Sequence, residues 1–117
     1  MSLRIDMTSH GKVLLIRIKG ELDHHTSEIV RRQIDETFTE EGCAHAILNL
    51  SELSFMDSSG LGVILGRYKR INQRGGTLAV CSLTPAVHKL FELSGMFKIV
   101  PAFEREDEAF QSLGVTL

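Results

Sequence analysis

The sequence predicts an α/β domain built on a mostly parallel mixed sheet, with an antiparallel hairpin at its N-terminal edge. Three observations lead there. Short apolar stretches suited to strands alternate with amphipathic stretches suited to helices, the pattern of parallel sheets with helical crossovers. The first two strand-like stretches are joined by the turn His10-Gly11-Lys12, which suggests a hairpin. The 117 residues, with ordinary apolar and charged content, suit one compact domain spanning 1–117.

Residues 3–8 alternate apolar and polar and read as a short strand. Residues 13–19 form the next, with Ile16 and Ile18 set against Arg17 and Lys19. Gly20-Glu21-Leu22-Asp23 then leaves the strand. A helix starts within 23–27, where Asp, Thr and Ser are all available as caps. It runs to about residue 41 with Val30, Ile34 and Phe38 on one face, and Gly42 stands where a terminating glycine belongs. Residues 44–50 are nearly all apolar and read as a central strand covered on both faces. Asp57 or Ser58 caps a second helix to about residue 73, with Leu61, Ile64, Leu65, Tyr68 and Ile71 as its core stripe. Residues 77–81 form a strand. Thr84-Pro85 opens a third helix, with Thr as cap and Pro at the first helical position, and Gly95 closes it. A short strand at 98–100 and a last helix from 104 to about 113 complete the order ββαβαβαβα.

Composition removes several function classes. Thirteen basic and fifteen acidic residues give a net charge of −2 without long runs of one sign, which gives no support for nucleic acid or an anionic membrane as partner. The N-terminus has neither the basic nor the apolar region of a signal peptide, and no apolar run approaches the roughly 20 residues of a membrane span. A cytoplasmic protein is expected, with Cys43 and Cys81 as free thiols. Trp is absent and aromatics are few, so no stacking platform for bases is expected. His24 and His25 are adjacent, so their side chains should diverge, and no ligand spacing for a metal accompanies them. No phosphate-cradling loop or hydrolase elbow occurs, and His45 and His88 lack an obvious nucleophile. The chain is not expected to be an enzyme.

The stretch with most chemistry is Phe55-Met56-Asp57-Ser58-Ser59-Gly60-Leu61-Gly62. A helix start presents unpaired N–H groups and the positive end of the helix dipole, so a phosphate is well accommodated there. Phosphorylation would add about −1.5 to −2 charges at such a serine without unfolding the domain. Asp57 also reads simply as a helix cap, and Ser58 and Ser59 as helix-start hydroxyls. Gly60, Gly62 and Gly66 leave two readings open: a low groove for another protein, or close packing of the helix on its neighbours. Asp23 follows a strand whose carboxyl end should share a rim with the Asp57-Ser58 loop.

Taken together, Gly20-Glu21-Leu22-Asp23, Leu48-Asn49-Leu50 and the Phe55–Gly62 stretch resemble the STAS domain of anti-sigma factor antagonists. The likeness covers essentially the whole chain. Its continuation through Val63-Ile64-Leu65-Gly66-Arg67-Tyr68-Lys69 is similar to the sporulation branch of that family. The resemblance implies a partner-switching cycle. The unphosphorylated protein binds an anti-sigma factor that is also a serine kinase, and this frees the sigma factor. The kinase uses ATP to phosphorylate the antagonist, which then lets go, and a serine phosphatase resets it. The phosphoacceptor of the family motif falls on Ser58, with Asp23 as the second acidic position. Asp23, Asp57, Ser58, Ser59, Gly60, Gly62 and Gly66 are the expected switch and partner surface. No cofactor or metal is expected, the free protein is expected to be monomeric, and direct nucleotide binding at the Asp23–Ser58 rim stays open. The alternative within the family is an interaction module of a stress-response switch. Outside it, a phosphopantetheine carrier would be helical. A receiver domain phosphorylated on Asp57 would need an acidic pair that is missing here.

Overall fold

The computed structural model of the chain describes residues 3–115. The ends of the expected 1–117 domain, residues 1–2 and 116–117, lie outside the described residues. The elements are β1 (Leu3–His10), β2 (Val13–Leu22), α1 (Ser27–Glu40), β3 (His45–Asn49), β4 (Leu53–Met56), α2 (Ser58–Gln73), β5 (Leu78–Cys81), α3 (Pro85–Ser94), β6 (Ala102–Phe103) and α4 (Glu106–Ser112). A 3-10 turn, Met96–Lys98, follows α3.

The sheet runs β1-β2-β3-β5-β6, with β4 also paired to β2. Only β1 is antiparallel, in a register from Leu3↔Gly20 to His10↔Val13. The other pairings are parallel. The mixed sheet with its antiparallel edge is therefore the one the sequence predicts.

Alternation along β2 divides the interior. Leu14, Ile16 and Ile18 face a large core shared with α1, α2 and α3, through Val30, Ile34, Phe38, Ile64, Ile71, Val87 and Phe91. Val13 and Leu15 face the opposite way, onto a small cluster with Ile47, Cys81, Ala109 and Phe110. Three helices thus cover one face, and the short α4 covers part of the other. Thr84 caps α3 as expected, its side chain accepting from the Val87 N–H, and Gly95 ends that helix in the left-handed region.

Four local expectations need correction. First, 53–56 is a strand, so the order is ββαββαβαβα. Gly20-Glu21-Leu22 belongs to β2 rather than to a loop. The β2–β4 register slips between Gly20 and Glu21, so Gly20 pairs with Leu53 but Glu21 with Phe55. Gly20 takes φ 102° at this irregularity, a conformation that favours glycine. The extra residue destroys the two-residue period that would reveal the strand.

Second, residues 98–100 do not form a strand. Val100 is buried, and the last strand begins only beyond Pro101, whose carbonyl accepts from the Val80 N–H at 2.9 Å. Third, α2 buries Gly60, Val63, Ile64, Arg67 and Ile71, while Leu61, Leu65 and Tyr68 are half-buried. The true stripe is rotated toward Gly60 and Arg67, two residues that a search for apolar side chains passes over. Fourth, α4 starts at Glu106, because the Glu108 carboxylate accepts from the Arg105 N–H at 3.0 Å and fixes the helix start there.

Candidate functional site

The end of β2 and the end of β4 lie side by side. Leu22 pairs with Met56, and the Asp57 N–H donates to the Leu22 carbonyl at 3.4 Å. The chain leaves both strands at the same rim of the parallel sheet, the usual location of binding sites in such folds. One exit carries Asp23-His24-His25, the other Asp57-Ser58-Ser59.

Asp57 is the N-cap of α2. Its backbone is extended, and Oδ1 accepts from the Ser59 N–H at 2.9 Å and the Gly60 N–H at 3.4 Å. Capping therefore consumes one carboxylate oxygen and two otherwise unpaired helix-start donors. Ser58 is the first helical residue and is exposed, while Ser59 is half-buried. Ser58 thus stands exposed at the positive end of a 16-residue helix.

The three glycines divide between the two readings. A Cβ on Gly60 would lie 2.9 Å from the Leu22 carbonyl and against the Met56 side chain, so Gly60 is a close-packing residue. A Cβ on Gly62 or Gly66 would meet nothing within 4 Å. These two leave an open surface on α2. Phe55, 48% exposed, precedes the site on β4.

Asp23 is buried. Its Oδ1 accepts from the His25 N–H at 2.9 Å and the Thr26 N–H at 3.1 Å, and its own N–H donates to Thr26 Oγ1 at 3.0 Å. Burial works to raise the Asp23 pKa, but the hydrogen bonds from Thr26 and His25 prevail and hold it below the ordinary carboxylate value. The carboxylate is thus engaged in closing its own turn. The side chain that reaches across the rim is His24, whose Nδ1 lies 3.9 Å from Asp57 Oδ2. The His24 and His25 rings do not diverge; their centroids are 3.9 Å apart. Among the described residues, no group of three or more His, Cys, Asp or Glu side chains is placed to hold a metal ion. Likewise, no described helix is long and apolar enough to cross a membrane.

Sequence reading assigned no individual role at the site to His24, Phe55 or Arg67. Phe55 carried a usable signal, an aromatic two residues before a capping Asp. Arg67 carried another, a lone cation within the apolar spacing of α2. Its Nε lies 2.9 Å from Asp35 Oδ1 of α1, although the angle does not make a good hydrogen bond. Asp35 Oδ2 also meets Arg70 at 2.8 Å and Arg31 at 3.6 Å. Burial lowers the Arg67 pKa, and the nearby Asp35 charge opposes that shift.

A small mixed sheet thus carries an exposed serine at a capped helix start, beside an open helix face. The chain belongs to the STAS domain family, whose model matches residues 4–109. It is 55% identical to an anti-sigma F factor antagonist of Paenibacillus polymyxa, over 98% of both chains. It is also similar to the anti-sigma factor antagonist SpoIIAA in its unphosphorylated form, with a TM-score of 0.71, 30% identity, and coverage of 97% of this chain and 98% of that one. The phosphorylated form of SpoIIAA from Bacillus matches with the same TM-score at 31% identity, covering 96% of this chain and 99% of that one. Members of this kind are regulatory binding proteins.

Proposed function

We propose that the protein is an anti-sigma factor antagonist of sporulation, switched by phosphorylation of Ser58. The unphosphorylated form binds an anti-sigma factor that is also a serine kinase, and thereby releases the sigma factor. The kinase transfers the γ-phosphoryl group of ATP to Ser58 Oγ, with ADP as the leaving product, and the modified protein dissociates. A serine phosphatase hydrolyses the phosphoester and restores the binding form. The cycle runs in the cytoplasm and requires no cofactor on this chain.

The observation that carries this reading is the exposed Ser58 at the first position of α2, next to the capping carboxylate of Asp57. The similarity to an anti-sigma F factor antagonist supports the choice of partner. A solved relative in its phosphorylated form supports regulation by phosphorylation. The binding surface comprises the Asp57–Gly60 start of α2, the open Gly62 and Gly66 face, and the neighbouring Asp23 turn. A phosphate on Ser58 adds charge next to Asp57, and a docked partner would have to desolvate it. A loss of about 3–4 kcal/mol from these two effects weakens binding by two to three orders of magnitude. The positive end of the helix dipole favours the phosphate's charge, so the fold persists.

The test is incubation with the cognate anti-sigma kinase and ATP, followed by intact mass and peptide mapping. A single phosphate on Ser58, absent in Ser58→Ala and accompanied by dissociation of the complex, is the expected result. Modification elsewhere, or a phosphorylated complex that stays together, would overturn the reading.

A further inference from the structure

Helices α1 and α2 leave a small cleft between them, along the second half of α2 and away from the helix start that carries Ser58. Ile34, Phe38 and Ile71 are its buried apolar walls. Arg67, Arg70 and Arg74 recur one and two turns apart and bring three guanidiniums to it. The Arg67 side chain is more than nine-tenths buried there. The cleft measures about 20 Å³, room for roughly one water-sized atom.

Asp35 is the one carboxylate lining the cleft, and it is shared. Its Oδ2 accepts from Arg70 at 2.8 Å and faces Arg31 at 3.6 Å, while Oδ1 lies 2.9 Å from Arg67 Nε. That last approach is out of line. Arg67 Nε is the one buried side-chain nitrogen or oxygen among the described residues without a hydrogen-bond acceptor. Buried donors are nearly always satisfied, because leaving one unmade is costly. Arg31 has a second partner in Glu28. Arg74 forms no ion pair within 4 Å among the described residues. Four guanidiniums thus meet two carboxylates, and two positive charges stay without a counter-charge.

We propose that the α1–α2 cleft binds a phosphate dianion, free or as a terminal phosphomonoester. One phosphate oxygen enters the cleft beside Arg67, and the rest of the group lies at its mouth between Arg70 and Arg74. A dianion matches the surplus of two charges, and guanidinium forks suit phosphate oxygens. A monocarboxylate would compensate only half of the surplus. Asp35 repels an incoming anion, but both its oxygens already face guanidiniums. The negative end of the α2 dipole, about half a charge, also opposes the anion and is outweighed by the same surplus. Occupancy of this cleft does not depend on the phosphorylation reading.

The probes are inorganic phosphate and phenyl phosphate, titrated at constant ionic strength into the ¹⁵N-labelled full chain and followed by amide chemical shifts. Acetate is the control. Saturable shifts centred on Arg67, Arg70 and Arg74 and on the facing Asp35–Thr39 turn of α1 are expected, with acetate weaker by at least about ten-fold. Equal affinity for the two phosphates assigns the site to the free ion, and tighter binding of phenyl phosphate assigns it to a phosphate carried on an organic group. Arg67 supports the core, so the variant is Arg70→Gln/Arg74→Gln at the exposed rim of the cleft. It should keep the native amide spectrum and lose at least about ten-fold in phosphate affinity. Shifts centred on Ser58–Gly60 instead, equal binding of acetate, an unchanged affinity in the double variant, or no saturation at millimolar concentration would each overturn the proposal.

Discussion

The carbonyl oxygen of Leu22 occupies the space that a side chain on Gly60 would need. A Cβ there would come within 2.9 Å of that oxygen and press on Met56. The same carbonyl accepts from the Asp57 N–H. One peptide group at the end of β2 therefore receives the β4 exit and the first turn of α2 together. This contact fixes the Asp23 turn and the Asp57-Ser58 helix start as one rigid rim.

Gly60 and Gly62 of α2 should consequently behave in opposite ways. Gly60→Ala forces Met56 and a backbone carbonyl to shift, and should lower stability by about 1–3 kcal/mol. Gly62→Ala meets open space in a helix interior and should raise stability by about 0.5–1 kcal/mol. Urea unfolding measures both. Binding to the anti-sigma partner should run against stability at the open position: Gly62→Ala stabilises the free protein yet weakens the complex by filling its surface. A Gly62→Ala variant that binds as well as the parent would remove that residue from the interface.

What could be read from the sequence was set by how local its cause is. The Asp57 cap is local chemistry between a carboxylate and the next two N–H groups, so a short stretch discloses it. The shared rim followed from strand direction alone. The β4 strand was hidden because a register slip at Gly20 erases alternation over only four residues. The buried face of α2 was misjudged for a different reason. Gly60 is inward because a carbonyl from β2 needs the space, and Arg67 because Asp35 on another helix neutralises it. Both causes are distant in the chain. The reach of His24 to Asp57 has the same long-range origin.

Arg67 is the costliest group in the core if left alone. Its side chain is 9% exposed and meets Asp35, which is 21% exposed. Asp35→Asn removes the counter-charge while keeping the shape, leaving Arg67 buried among Arg31 and Arg70. Stability should fall by about 2–3 kcal/mol, somewhat below the range for fully buried pairs because water reaches Asp35. Combining Asp35→Asn with Arg67→Met should recover most of the loss in the same denaturation assay. Additive losses would show that α1 and α2 are not joined through this pair.

The two thiols should differ sharply in reactivity. Cys81 is completely buried under α4, and desolvation pushes its pKa up to about 11. Cys43 is half-buried, with a smaller upward shift from the same cause. Because the thiolate is the reactive form, a thiol-specific disulfide reagent at pH 8 should modify Cys43 slowly and leave Cys81 untouched in the native state. Both should react in urea. Native modification of Cys81 at a rate equal to Cys43 would mean that α4 opens readily.

The attachment of α4 also sets a pH dependence. Glu106 accepts from Arg17 of β2 at 2.7 and 3.1 Å and from the Asn49 amide of β3. The hydrogen bond from Arg17 is the largest cause holding the Glu106 pKa below its ordinary value, with burial opposing and Asn49 assisting. A carboxyl whose folded pKa is depressed binds its proton more readily in the unfolded chain. Its stabilisation is therefore complete above the unfolded value near 4.5 and is lost as pH falls through the lower folded value. Glu106→Gln should then lower stability at neutral pH and flatten the acid limb of the stability curve below about pH 5. Thermal unfolding of parent and variant between pH 3 and 7 reads this directly. The two curves should converge at the acid end, because protonation abolishes in the parent what the substitution has already removed. Parallel curves would assign the acid sensitivity to other carboxylates, of which Asp23 in its buried turn is the next to examine.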